Sequence, residues 1–321
     1  MTTPRFIQAE SIDPAALAAE AAAGLQARPA RVAPKFFYDT LGSRLFAAIT
    51  ALDEYYPTRT EAAVFDLHGA AIADAVLGAT GPSPVMVEPG AGDGAKAARW
   101  FGPLAARRYV ALDISAEHLR EHLVALQQRH PETAMVGVGC DFATRLALPP
   151  GLVDGPALVF YPGSSIGNFA PAPALAFLRE ARKLAAGGAL LIGADLVKPR
   201  AVLEAAYDDA LGVTAAFNLN LLRHLNRLLG ADFDAAQWRH VAFFDEVASR
   251  IEMHLEARRE TVVRWRGGER RFAAGERIHT EDSHKWTPEA FEALLHDAGF
   301  ARVRRWTDAQ GWFGVFVAAA G

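Results

Sequence analysis

The chain has 321 residues, 51% of them hydrophobic, and a formal net charge of −4. That is enough apolar material for one large domain or two unequal ones, and the spread of Arg and Lys along the chain lacks the basic face of a nucleic-acid binder. A lone cysteine, Cys140, excludes an intrachain disulfide and a thiolate metal cluster and points to a cytoplasmic setting.

The opening MTTPRFIQAESIDP lacks the apolar core of a signal peptide, and no uninterrupted apolar run reaches bilayer-spanning length, so no membrane partner is expected. Asp13-Pro14 reads as a cap followed by proline in the first turn, which predicts a helix to Leu25. Leu45, Phe46 and Ile49 recur at helical spacing between Ser43 and Ala51. Pro57 is expected to close that piece, and a longer helix to run from Thr60 to about Leu77. A regular alternation follows. Apolar strands are expected at Val85–Glu88, Tyr109–Asp113, Ala134–Val138, Ala157–Tyr161 and Ala189–Ala194, with helices at Ala116–Gln128 and Pro171–Leu184 between them. After Asp195 the pattern changes. Residues 199 to 230 are mostly helical. From Ala242 to Val263, Arg250, Glu252, His254 and Glu256 alternate with Ile251, Met253 and Leu255, which reads as a solvent-facing strand. A turn at Gly267-Gly268 precedes the polar run RIHTEDSHKW, and the chain closes with a helix, Pro288–Ala298, and two strands, Val303–Thr307 and Trp312–Ala318.

Continuous apolar strands separated by helices predict an α/β fold, a doubly wound, Rossmann-like parallel sheet covered on both faces. Residues 61–198 and 286–321 are assigned to that domain, and 1–60 with 199–285 to a second, smaller lobe for the substrate.

The first of these strands runs into Glu88-Pro89-Gly90-Ala91-Gly92-Asp93-Gly94. Such glycines let a backbone turn tightly and approach a ligand, and the spacing is G-x-G-x-G rather than the G-x-G-x-x-G of dinucleotide sites. Asp113 ends the next strand, where a carboxylate can accept ribose hydroxyls, and Asp141 follows the third, where adenine would lie. Three acids in register after three strands resemble the S-adenosylmethionine site of class I methyltransferases, in which the acid before the glycines handles the methionine end. A nicotinamide dehydrogenase is the competing reading, and the glycine spacing weighs against it.

Three further groups of motifs lie outside this generic pattern: PKFFYDTLGSRLF with EYYPTRTE (34–61), YPGSSIGNF (161–169) with AYDDALGVTAAFNLN (206–220), and RIHTEDSHKW (277–286). Together they resemble the histidine-specific methyltransferase family. The resemblance implies S-adenosylmethionine-dependent trimethylation of the α-amino group of free L-histidine to hercynine, the first step of ergothioneine biosynthesis; a monomer is the expected state, though the sequence leaves it open. It further implies that Tyr38, Tyr207 and Ser283 hold the substrate carboxylate, that Asn168 contacts the amino group, and that Tyr55 and Glu281 face the imidazole. Glu88, Gly90, Gly92, Lys96, Asp113, Asp141, Phe142 and Tyr161 would line the cofactor site, and Tyr38, Asn168 or a water would relay the proton leaving the amine.

Several of these residues have plainer readings. One ring of Tyr55-Tyr56 is expected to pack and the other to face the cleft. Asn168 suits a helix N-cap before Pro171, Tyr207 a solvated helix face, and Met253 either core or the substrate pocket. Glu281 and Ser283, two apart, share one side of an extended segment, so RIHTEDSHKW is expected to run as a strand edge with Thr280 or Asp282 outward. His279 and His284 lack metal-ligand spacing. Two alternatives stay open: the same chemistry on another amino acid or amine, and a non-catalytic cofactor-binding sensor.

Overall fold

The computed structural model describes residues 3–9, 13–114, 116–142 and 146–321. In chain order its strands are β1 (Arg5–Gln8), β2 (Ala30–Arg31), β3 (Val85–Pro89), β4 (Arg108–Asp113), β5 (Ala134–Gly139), β6 (Ala157–Tyr161), β7 (Ala189–Asp195), β8 (Trp238–Asp245), β9 (Arg250–Ala257), β10 (Thr261–Trp265), β11 (Gly268–Phe272), β12 (Arg277–His284), β13 (Arg302–Thr307) and β14 (Phe313–Ala319). Its α-helices are α1 (Pro14–Gln26), α2 (Thr40–Ile49), α3 (Tyr56–Thr80), α4 (Ala95–Phe101), α5 (Ala116–Arg129), α6 (Pro171–Leu184), α7 (Arg200–Ala205), α8 (Val213–Leu229) and α9 (Pro288–Asp297). They form two units: Met1–Ile12, Thr60–Leu196 and Trp286–Gly321 in the first, Asp13–Arg59 and Val197–Lys285 in the second.

The first unit is built on an eight-stranded sheet in the order β1-β5-β4-β3-β6-β7-β14-β13. The strands from β1 to β7 pair in parallel, while β14 runs antiparallel to both β7 and β13. The order reverses at β3, which lies between β4 and β6, and such a switch point opens a crevice at the carboxyl ends of the strands. Both faces are apolar because side chains alternate along each strand. Val85, Val87, Val110 and Leu112 point to one face with Phe177 of α6 and Phe291 of α9. Met86, Tyr109 and Ala111 point to the other, with Val64 and Ile72 of α3 and Trp100 of α4.

Two expectations change in this unit. The sequence assigns residues 1–60 to the second lobe as one piece, but β1 joins the first unit's sheet, matching Arg5 to Val136 and Gln8 to Gly139 and so covering the outer edge of β5. Pro57 opens a helix rather than closing one. It sits in the first turn of α3, where a missing N–H costs nothing. This helix is long and apolar enough to cross a membrane by length and composition. In the present fold its Val64, Ile72 and Val76 are buried in the core.

The second unit holds a four-stranded sheet in the order β2-β12-β9-β8 and the hairpin β10-β11. Helix α8 buries Phe217, Leu221 and Leu225 and packs against α1, α2 and β8. The alternating stretch from Ala242 to Val263 forms parts of three strands, and its polar face is covered rather than solvent-facing. Glu256 is only 6% exposed because Arg239 of β8 and Arg277 of β12 pair with it from the two flanking strands. His254 stacks on Phe243 at a ring-centroid distance of 5.5 Å.

Candidate functional site

In the first unit the glycine loop is fastened to the end of β4. The N–H groups of Gly90 and Ala91 donate to the Leu112 carbonyl at 2.8 and 3.0 Å, and that of Gly92 donates to Oδ2 of Asp113 at 3.1 Å. Gly90 and Gly92 adopt φ of +70° and +55°, where a side chain is strained. A Cβ on Gly90 would stand 3.0 Å from Cζ of Phe142, whereas one on Gly92 would meet nothing within 4 Å. The loop therefore has one wall, the Phe142 ring delivered by the chain after β5, and one bare backbone surface beside a strand-end carboxylate. Asp141, half-buried, precedes that ring.

Lys96, in the first turn of α4, donates to Oε2 of Glu61 at 2.6 Å, and the N–H of Gly163 donates to Oε1 at 2.6 Å. Glu61 thus ties the helix after the glycine loop to the turn after β6. It is 1% exposed, and burying its charge is sustained by these two donors. Glu88 is also buried, and the Tyr109 hydroxyl donates to it. Burial pushes its carboxyl up to about 8, against the pull of the Tyr109 bond and of Lys96. Burial thus favours its neutral form beneath the loop. Tyr161 lies in the core, 4.6 Å from the Phe177 ring and 6.4 Å from Phe142, and burial raises its hydroxyl above the ordinary phenol range. Asn168 ends the short turn Ser165–Asn168 and is half-buried. It does not cap α6: that cap is Ala170, with no side-chain bond.

In the second unit five rings gather. Phe46 of α2 meets Tyr38 at 5.8 Å, Tyr55 at 6.2 Å and Phe217 at 6.0 Å, while Tyr207 lies 6.4 Å from Tyr55. Of the tyrosine pair, Tyr56 is the packed one. Its hydroxyl accepts from Lys198 Nζ at 2.9 Å, and that ammonium lies 4.3 Å from the ring centroid. Tyr55 is half-buried. Tyr207 is buried rather than on a solvated face, and its hydroxyl donates to Ser283 Oγ at 2.7 Å. Lys285 Nζ donates to Ser283 Oγ at 2.7 Å and to the Tyr207 hydroxyl at 3.1 Å, and lies 4.8 Å from the Tyr207 ring centroid.

Strand β12 sets this geometry. Its pairing with β9 slips between His279 and Glu281, so Thr280 is the extra residue of a bulge. Thr280, expected outward, is fully buried, and its hydroxyl donates to the Met253 carbonyl at 2.9 Å. Beyond the bulge Glu281 and Ser283 are buried, while Asp282 is half-exposed and pairs with His279 at 2.9 Å and Arg250 at 3.2 Å. Glu281 stands opposite Met253 in the ladder. Burial pushes the Glu281 carboxyl up to about 8, Lys285 pulls it down and Asp282 adds to the rise. The segment is not an edge throughout: β9 flanks it along its length, and β2 pairs with Ile278 and His279.

The structure thus draws Tyr38, Tyr55, Tyr207, Met253, Glu281 and Ser283 into the second unit, and Glu88, Gly90, Gly92, Lys96, Asp113, Asp141, Phe142, Tyr161 and Asn168 into the first. Four residues of these clusters carry no role in the sequence reading: Phe46, Glu61, Tyr109 and Lys285. Lys285 had a signal, since it lies two residues after Ser283 and so on the same side of an extended segment. Glu61 closes the EYYPTRTE motif but carried no role there.

A family model described as histidine-specific methyltransferase, SAM-dependent, matches residues 17–320. The histidine N-alpha-methyltransferase of Mycolicibacterium smegmatis is 42% identical over 310 residues, covering 94% of each chain. Its counterpart of the same name in Mycobacterium tuberculosis is 41% identical over 314 residues, covering 95% of each. Ergothioneine biosynthesis protein 1 of Neurospora crassa is 31% identical over 290 residues, which are 87% of this chain and 32% of that protein.

Proposed function

Because the chain belongs to the histidine-specific, S-adenosylmethionine-dependent methyltransferases, we propose that it methylates the α-amino nitrogen of free L-histidine three times to give hercynine, the first step of ergothioneine biosynthesis. The observation that carries the choice of substrate is the pairing, on one short strand, of a buried carboxyl at Glu281 with the buried hydroxyl of Ser283, which the Tyr207 hydroxyl joins. An amino acid with a basic ring needs an acid for the ring and donors for its carboxylate.

The residues of the first unit fit the cofactor. Gly92 is open where a side chain would stand, the Asp113 carboxylate adjoins it, and Phe142 supplies an apolar face. In this reading Asp113 and Asp141 hold the ribose and adenine, while Lys96 and Glu88 border the methionine end. When bound, S-adenosylmethionine supplies a methyl group already activated on a sulfonium. The protein's share of the work is then to hold the amine in line and exclude water. The amine must be neutral to attack, and apolar walls favour that form. Tyr38 and Asn168 are assigned to pass on its proton, Asn168 on the strength of the GNF motif. The rings of Tyr38, Phe46 and Phe217 offer faces to the positive charge that grows with each methyl group. We assign the activity to a monomer in the cytoplasm, where the buried thiol of Cys140 stays reduced.

The test is to incubate the purified protein with S-adenosylmethionine and each common amino acid separately and to weigh the products. Trimethylated histidine, and no other product, is expected. Methylation of a different amine would keep the chemistry and overturn the pocket assignment, and cofactor binding without any product would overturn the enzyme reading.

A further inference from the structure

Lys285 is the member of the second unit's polar group to which neither the family motif nor the mechanism above gives a task. It is 3% exposed, at the end of the β12 segment. An ammonium can only donate, so the oxygens of both Tyr207 and Ser283 accept from it. The two hydroxyls also bond to each other at 2.7 Å, which uses one of their two hydrogens. The other hydroxyl hydrogen has no acceptor within the triad. The ammonium thereby sets the polarity of the pair: Tyr207 donates to Ser283, and the Ser283 hydrogen is left to an acceptor outside the triad. Two neutral hydroxyls alone would accept as readily as donate, and would not distinguish an anion from a neutral carbonyl. The Tyr207 ring, 4.8 Å from Nζ, helps to hold the ammonium in place.

We propose that Lys285 is the positioning residue for the substrate's carboxylate, acting through Tyr207 and Ser283: it supplies the charge that selects an α-carboxylate over a neutral group and orients the hydroxyl that binds it. The proposal rests on the reading that Tyr207 and Ser283 receive that carboxylate.

The test compares L-histidine with L-histidine amide, which keeps ring and amine but has no negative charge. Wild-type protein should favour the acid by about 100-fold in kcat/KM. Lys285→Met should reduce that preference to roughly 5-fold, chiefly through a higher KM for the acid, with the amide changed by less than about 3-fold. Lys285→Arg, which keeps the charge, should restore most of the preference. Tyr207→Phe removes one oxygen that receives the ammonium while keeping the ring, and should lower the preference by roughly 10-fold, so the proposal stays testable should Lys285→Met fail to fold. If the wild type does not distinguish acid from amide, the carboxylate reading of Tyr207 and Ser283 itself is wrong. If the wild type does distinguish them but Lys285→Met lowers both substrates equally, Lys285 only supports the fold. An unchanged preference in Tyr207→Phe likewise overturns the proposal.

Discussion

Two buried carboxyls, Glu88 and Glu281, are both pushed up to about 8 by burial, yet they differ in what answers them. Glu88 has a fixed partner, the Tyr109 hydroxyl, within the first unit. A carboxyl whose folded pKa lies above its ordinary 4.5 supports the folded state fully below that value and loses this contribution as pH rises through about 8. Glu88→Gln does not titrate, so its melting temperature should fall less than the wild type's between about pH 5 and about pH 9. Parallel decline in both proteins would remove Glu88 as the source. Glu281 instead faces the proposed imidazole site, where leaving a buried acid unanswered penalises amino acids without a polar ring. Glu281→Ala should therefore cost about 100-fold in kcat/KM for histidine, and unchanged kinetics would end that role. At this scale residue types and i, i+2 spacing made Glu281 and Ser283 legible in the sequence. Lys285 shares that spacing, but a lysine in a polar run reads as solvated, and its burial depends on chain far away, at Tyr207.

At the scale of elements, the helices and strands of the first unit follow from apolar periodicity, and the helices α5 and α6 were anticipated within a residue of their ends. Three features escaped. Pro57 carries the same local signal whether it ends one helix or begins another, and packing decides which. The polar face of β9 looks solvated in isolation because the arginines that cover it come from β8 and β12. The bulge at Thr280 depends on pairing with β9, which no local pattern records. That bulge has a measurable anchor, the bond from the Thr280 hydroxyl to the Met253 carbonyl. Thr280→Val keeps the branched shape but strands the buried carbonyl, and should destabilise the protein by about 1 kcal/mol, lowering Tm by roughly 2 °C. No change in Tm would mean that the bulge is held by its backbone alone.

At the scale of the whole molecule, the residues proposed for the donor lie in the first unit and those proposed for the acceptor, Asn168 apart, lie in the second, so each ligand should leave its own mark. S-adenosylhomocysteine should slow amide exchange around Glu88–Lys96 and Asp113, and L-histidine around Tyr207 and Glu281–Lys285. Protection appearing in the opposite order would overturn the division of labour proposed above. The alternation of strands and helices foretold this division in outline, but not that β1 would cross to the first unit, since a four-residue strand is recognised only by the edge it covers. The placement of β14 between β7 and β13 carries a consequence for synthesis. On the ribosome every residue of the second unit is made before Arg302 emerges, while the sheet of the first unit still ends at β7. A nascent chain halted there would carry every residue of the second unit and, in the first, an open row of backbone donors and acceptors along a wholly buried strand. Such an edge invites pairing with other chains. The final strand is therefore the step that closes this edge of the sheet.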